Sequence, residues 1–187
     1  MLKHIIHTSL TPGLNNLFTH LMVVTSVFLI SCSAANDHDI TTKEQRFLQH
    51  LETANIGFLD IEKQEINDFM DRYRWDMKET GSGLHYDINA SKNGAPAEMG
   101  KTAVIQYNVY LLNGELVYSS DQTGLKHFRI GQGGVISGLE EAILLLKVGD
   151  EARFIMPAHL AHGVPGDGDK IPRQAAIVYE LTLLELR

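Results

Sequence analysis

Residues able to do chemistry gather in the last third of this 187-residue chain. His159 and His162 stand three apart, a spacing that can put two imidazoles on one helical face. No third ligand of metal type is evident beside them, so no metal is expected. Asp167 and Asp169 alternate with Gly166 and Gly168, but the other oxygen ligands of a calcium loop are absent, and the segment reads as a solvated turn. Gly131-Gln132-Gly133-Gly134 lacks both the lysine of a phosphate-binding loop and the dinucleotide spacing, so no nucleotide is expected. The formal charge of −7 comes without any basic run, which argues against nucleic acid as a partner.

Four ordered pieces carry more information than any single residue. Val104-Ile105-Gln106-Tyr107 is strand-like and ends in a tyrosine. Val135-Ile136-Ser137-Gly138-Leu139-Glu140-Glu141 leads from an aliphatic pair into a short helix. Pro157 is followed by Ala161-His162-Gly163, and Ile171-Pro172 leads into Ala176-Ile177-Val178-Tyr179-Glu180. In this order and spacing the pieces resemble the FKBP-type peptidyl-prolyl isomerases over roughly residues 77–187. The resemblance implies rotation about an X-Pro amide, whose barrier is about 18–20 kcal/mol. No bond breaks, so no nucleophile, metal or cofactor is implied. A dehydrated, aromatic-lined cup that binds the twisted imide better than the planar one is enough.

The resemblance assigns catalytic positions to Tyr107, Ile136, Tyr179 and His162. Ile136 would act through its backbone N–H, the tyrosines as aromatic walls and His162 as the flap residue. Val117, Tyr118, Val135, Leu139 and Ile171 fall on substrate-binding positions, and proline-containing polypeptides are the implied partners. Several residues depart from the family pattern. Leu139 replaces a common tryptophan floor, Val117 a usual phenylalanine, and Tyr118 an aspartate that commonly orients ligand and tyrosine. Lys126 falls near another usual aromatic, and His162 replaces the flap tyrosine. Two readings follow: an isomerase, or a non-catalytic module of the same fold that holds a proline-bearing segment.

The elements needed to position these residues are legible as periodicities. Residues 102–112 alternate, with Ala103, Ile105, Tyr107, Val109 and Leu111 on one face. Asn113-Gly114 predicts a two-residue hairpin with positive φ at both positions. Residues 138–146 predict one short helix that turns Leu139, Ala142, Ile143 and Leu146 inward and stops at Gly149. Ile177, Tyr179, Leu181 and Leu183 share a face of the last strand. The fold class is α+β: an antiparallel half-barrel sheet wrapped on one short helix, preceded by an N-terminal helical segment. That segment, residues 41–76, predicts two helices. One is capped by Thr41 and Glu44, and the second starts at Asp60 after a break at Asn55-Ile56-Gly57. Their apolar stripes serve either packing within the chain or a homodimer, and residues 77–187 are expected to fold without them.

The front of the chain addresses it. Residues 1–31 hold one basic residue, Lys3, and no acidic one, and their apolar run over residues 21–30 is too short to span a bilayer. The run ends in Leu29-Ile30-Ser31-Cys32, which resembles a bacterial lipobox. Residues 1–31 are thus expected to be a signal peptide, Cys32 to be lipidated, and residues 32–40 to be a tether. Cys32 is the sole cysteine, so no internal disulfide can form. The expected location is the cell envelope, as a membrane-anchored lipoprotein facing the periplasm or in the outer membrane. The whole layout resembles the lipoprotein isomerases of Bacteroidota, including those associated with gliding motility. Cys32→Ser is expected to abolish acylation and leave an uncleaved precursor. Normal maturation and membrane fractionation of that variant would overturn the assignment.

Overall fold

The computed structural model of the chain describes residues 37–91 and 93–187. The expected signal peptide, Cys32 and the first part of the expected tether lie outside the described residues. The chain divides into two units, Met1–Asn55 and Ile56–Arg187. In the first, the described residues are helical from Asp37 onward.

Helix α1 runs from Asp37 to Tyr73 without interruption, so the expected break at residues 55–57 and the cap at Asp60 are absent. Gly57 accounts for the misreading. Glycine costs a helix interior only about 1 kcal/mol relative to alanine, and no proline is present to stop the helix. Thr41 likewise lies inside the helix. The real terminus is at the other end. Trp75 N–H donates to Met70 O at 2.9 Å and Arg74 N–H to Asp71 O at 3.2 Å, with Arg74 at φ 56. This paired closure around a left-handed residue satisfies the last carbonyls. Trp75 then folds back edge-on to Phe69, ring centroids 5.3 Å apart.

The remaining elements are β1 (Lys78–Glu79), β2 (His85–Asn89), β3 (Thr102–Leu111), β4 (Leu116–Ser119) and α2 (Ser120–Thr123). They are followed by β5 (Lys126–Arg129), α3 (Ser137–Ile143), β6 (Glu151–Met156), a 3₁₀ turn (Ala158–Leu160) and β7 (Ile177–Leu186). Every strand pairing is antiparallel, in the order β1-β2-β6-β7-β3-β4, and β5 shares β3 with β4. One end of β3 pairs with β4 through Asn108–Ser119, and the other pairs with β5 through Thr102–Arg129. The β3–β4 loop differs from expectation. Gly114 N–H donates to Leu111 O, and Leu111 N–H to Glu115 O, both at 2.9 Å, and only Gly114 has positive φ. Asn113 instead uses its side-chain oxygen to accept from Glu115 N–H at 2.8 Å, giving a three-residue loop.

Alternation along the strands divides the core in two. Ile105, Tyr107 and Val109 of β3, with Ile177, Tyr179 and Leu181 of β7, meet Leu139, Ala142, Ile143 and Leu146 in the main cluster. The second cluster joins Ile155, Ala176 and Val178 to Ile66 and Phe69 of α1, with Trp75 and Met77 at its margin. α1 therefore completes the core around β6 and β7, and residues 77–187 alone would leave Ile155 and Val178 uncovered. Phe69→Ala is expected to cost about 3 kcal/mol in chemical denaturation. Arg74→Gly should stabilise by up to about 1 kcal/mol, because it relieves a left-handed residue that has a side chain. A stabilised Phe69→Ala or a clearly weakened Arg74→Gly would show that this helix end is wrongly read.

Candidate functional site

A cavity of about 390 Å³ opens where α3 meets β7 and the loop after the 3₁₀ turn. It is lined by Lys126, Gly133, Gly134, Val135, Ile136, Leu139, His162 and Tyr179. Leu139 is fully buried and forms an apolar floor. Ile136 is the N-cap of α3, with φ −60 and ψ 149, and its carbonyl accepts from Leu139 N–H at 3.0 Å and Glu140 N–H at 3.2 Å. Its own N–H has no partner among the described residues. An unpaired amide beside an apolar floor is a donor available to a ligand carbonyl.

Tyr179 is buried and stacks on Tyr107, ring centroids 5.8 Å apart and planes inclined by 27°. Burial, then the neighbouring Tyr107, push its hydroxyl well above the usual phenol range, so it stays neutral. Tyr107 lies behind Tyr179 and is not among the residues lining this cavity. Its hydroxyl is 2.8 Å from Thr123 Oγ1, which donates to Ser119 O at 3.0 Å. Thr123 has one hydroxyl proton, so Tyr107 is the donor in their shared bond. Thr123 therefore orients the tyrosine from α2, a task the family pattern gives to the position held here by Tyr118. No signal in the sequence singled Thr123 out.

Of the nine residues expected at the site, Val135, Ile136, Leu139, His162 and Tyr179 line the cavity. Val117 and Ile171 are buried in the main cluster, outside that lining. Tyr118 turns to the flap loop, where its hydroxyl donates to Asp167 Oδ2 at 2.5 Å. Asp167 Oδ1 in turn accepts from Asp169 N–H at 2.9 Å and Ile171 N–H at 2.8 Å. The expected solvated turn is thus a latch between strand β4 and the flap. Lys126, which the sequence marked only as a departure, sits on the cavity rim with Nζ 5.1 Å from the Tyr107 ring centroid.

The loops around the cavity are held by carboxylates whose roles spacing alone did not reveal. Glu140 accepts from Gly131 N–H at 2.6 Å and Gly133 N–H at 3.0 Å, both glycines at positive φ. The glycine-rich run is therefore a turn pinned to α3. Glu141 accepts from Ser82 Oγ at 2.8 and 2.7 Å, and His159 Nε2 lies 2.9 Å from Ser82 O, which anchors the Gly81-Ser82-Gly83 segment. Among the described residues no metal-binding cluster exists, and His159 is occupied in this contact. A wider groove of about 490 Å³ lies over β2, β3, β6 and β7, but Asp87, Asn89, Gln106, Asn108, Arg153 and Glu180 make it too polar to dehydrate an imide.

Residues 94–184 match the sequence profile of the FKBP-type peptidyl-prolyl cis-trans isomerases. Over this stretch the chain is similar to that family. It is 34% identical over 111 residues to a probable FKBP-type isomerase, FkpA, of Neisseria meningitidis, an alignment covering 59% of this chain and 40% of that protein. It is 36% identical over 86 residues to FK506-binding protein 2 of Dictyostelium discoideum, covering 46% of this chain and 65% of the relative. The chain thus spans less than two thirds of the length of the curated relatives it matches. Among solved structures it is similar to AtFKBP13, at TM-score 0.57 and 27% identity, over 60% of this chain and 99% of that one. FkpA from Escherichia coli gives TM-score 0.57 over 91% of this chain and 82% of that one, and at 21% identity this similarity speaks for the fold alone.

The flap latch carries a pH dependence. Partial burial opposes ionisation of Asp167, but bonds from Tyr118, Asp169 and Ile171, with His162 nearby, hold its pKa below the ordinary 3.8. The bond to Asp167 first, then burial, push the Tyr118 hydroxyl from 10.0 up to about 12. Asp167 binds its proton more weakly in the folded state, so its contribution is complete above about pH 4 and lost as pH falls through the folded value. Tyr118 binds its proton more tightly when folded, so its contribution is complete below about pH 10 and lost as pH rises through the folded value. Protection of the amides over residues 163–171, taken relative to intrinsic exchange at each pH, should therefore be greatest between these limits and fall on both sides. Tyr118→Phe should remove the alkaline edge and weaken the acid one, which the Asp169 and Ile171 N–H bonds still support. Exchange in that variant matching the unmodified chain at every pH would remove the latch.

Proposed function

We propose that the chain is a peptidyl-prolyl cis-trans isomerase acting on proline-bearing polypeptides in the cavity beside α3. The observation that carries this reading is the unpaired N–H of Ile136 next to the Leu139 floor and the Tyr179 wall. A prolyl ring seated on Leu139 loses its water, which disfavours the charge-separated planar imide. The Ile136 amide donates to a carbonyl whose position changes as the bond twists, and so binds the twisted form better. Tyr107 supports Tyr179 by stacking and fixes its plane. His162 borders the cavity from the flap and has a ring N–H to offer. Lys126 and His162 favour a second reading, since they make the cavity more polar than an imide-dehydrating cup requires. On that reading the module holds proline segments without turning them over.

Assay of the full chain on a Leu-Pro peptide by exchange spectroscopy decides between them. Uncatalysed isomerisation takes tens to hundreds of seconds, so turnover is read directly against buffer. Tyr107→Ala with Tyr179→Ala, in a protein shown to be folded, should return the rate to that of buffer. Tyr179→Phe keeps the stacking and should remain near the unmodified rate. Binding without turnover would favour the holding module, and turnover surviving the double substitution would move the site elsewhere.

The lipobox-like run at Cys32 supports attachment to a membrane and service to exported clients in the cell envelope. Among the described residues no helix is long and apolar enough to cross a bilayer. On α1, Phe47, Leu48 and Leu51 are 62%, 57% and 51% exposed, a stripe that favours a homodimer. A strictly monomeric full chain in sedimentation at micromolar concentration would rule that pairing out.

A further inference from the structure

We infer that Lys126 selects clients carrying a carboxylate on a residue flanking the proline. This rests on the isomerase site proposed above and names the chemistry of its substrate. Lys126 is the one residue of fixed charge among the eight that line the cavity. Its ammonium lies over the Tyr107 ring at 5.1 Å, and no carboxylate lies within 4.0 Å of it among the described residues. A cation held only by an aromatic face keeps its hydrogen-bond donors for an incoming anion.

Two nearby carboxylates, on α3 and on the flap, are already engaged. Glu140 accepts from Gly131 and Gly133, and Asp167 accepts from Tyr118, Asp169 and Ile171. Neither competes with a substrate without giving up bonds that shape the site. The rest of the molecule sharpens the contrast, because a formal charge of −7 disfavours acidic peptides overall. Lys126 and Tyr179 both line the cavity, and the Lys126 ammonium faces the Tyr107 ring that stacks on Tyr179. A proline against Tyr179 therefore brings its flanking side chains to the rim where Lys126 stands.

The test uses the full chain and two series of tetrapeptides, Ala-X-Pro-Ala and Ala-Ala-Pro-X, with X as Leu, Gln, Glu or Lys. Kd is read by amide-shift titration and turnover by exchange spectroscopy. In at least one series Glu should bind about two- to fivefold more tightly than the isosteric Gln, with Lys weakest. The Glu preference should shrink as salt is raised from about 0.01 M to 0.5 M. Lys126→Gln should abolish it and Lys126→Glu should invert it toward Lys, each in a protein whose amide spectrum stays dispersed. Equal affinity for Glu and Gln in both series, or a preference unchanged in Lys126→Gln, overturns the inference. Turnover of the Leu peptides reports separately on the isomerase reading. Its absence beside an intact Glu preference would sink catalysis and leave the selectivity standing.

Discussion

A helix of seven residues makes too few internal hydrogen bonds to persist in water, so α3 exists because of what it is pressed against. That pressing depends on a bare backbone at Gly138. A Cβ there would come within 2.9 Å of both Leu160 O and Met156 Sδ. The contact lets α3 sink until Leu139, Ala142 and Ile143 are fully buried, and it places Ser137 Oγ 3.3 Å from the same Leu160 carbonyl. Leu160 lies just ahead of Ala161-His162-Gly163, so the helix and the flap take their positions from one shared atom. Ile136, immediately before the helix, is then held where its amide borders the cavity.

Acidic side chains do much of the remaining placement. Glu62 accepts from Ala158 N–H at 2.6 Å, Glu140 from the glycine turn and Glu141 from Ser82. Buried Asp150 takes Ser91 N–H and Lys147 N–H at 2.5 and 2.8 Å. Charged acceptors make stronger bonds to backbone donors than neutral ones do, which suits loops that lack a ladder of their own. The acidic balance of the chain therefore has a structural side. Many of its carboxylates are fasteners, and the cavity is left with a cation on its rim.

The sheet was legible in the sequence because each long strand buries one face, and period-two alternation survives in Ile105, Tyr107 and Val109 and again in Ile177, Tyr179 and Leu181. Five cavity residues were legible because their motif is local: Val135, Ile136 and Leu139 are nearly consecutive, and the neighbours of His162 and Tyr179 are distinctive. What could not be read depends on contacts between distant positions. Thr123 meets Tyr107 only after α2 has formed, and Asp167 meets Tyr118 only once the flap is folded. Helix α1 was misread for a different reason. Asn-Ile-Gly weakens a helix without ending it, whereas the actual end uses Arg74, a residue with no preference for the left-handed conformation it adopts.

The position of β7 has a consequence for how the molecule comes into being. Its ten residues lie between β6 and β3, so this strand is made after both of the strands that it joins. Until residue 186 has emerged, β3 with its partners and β6 with β2 are two separate ribbons whose facing edges are open. Pairing β3 to β7 also closes a long loop, and such contacts form late and slowly. A chain threaded through a pore from its front end would thus stay unclosed until β7 has passed. The sheet would join only when Tyr179 arrives beside Tyr107, so the cavity would appear at the same moment as the finished fold.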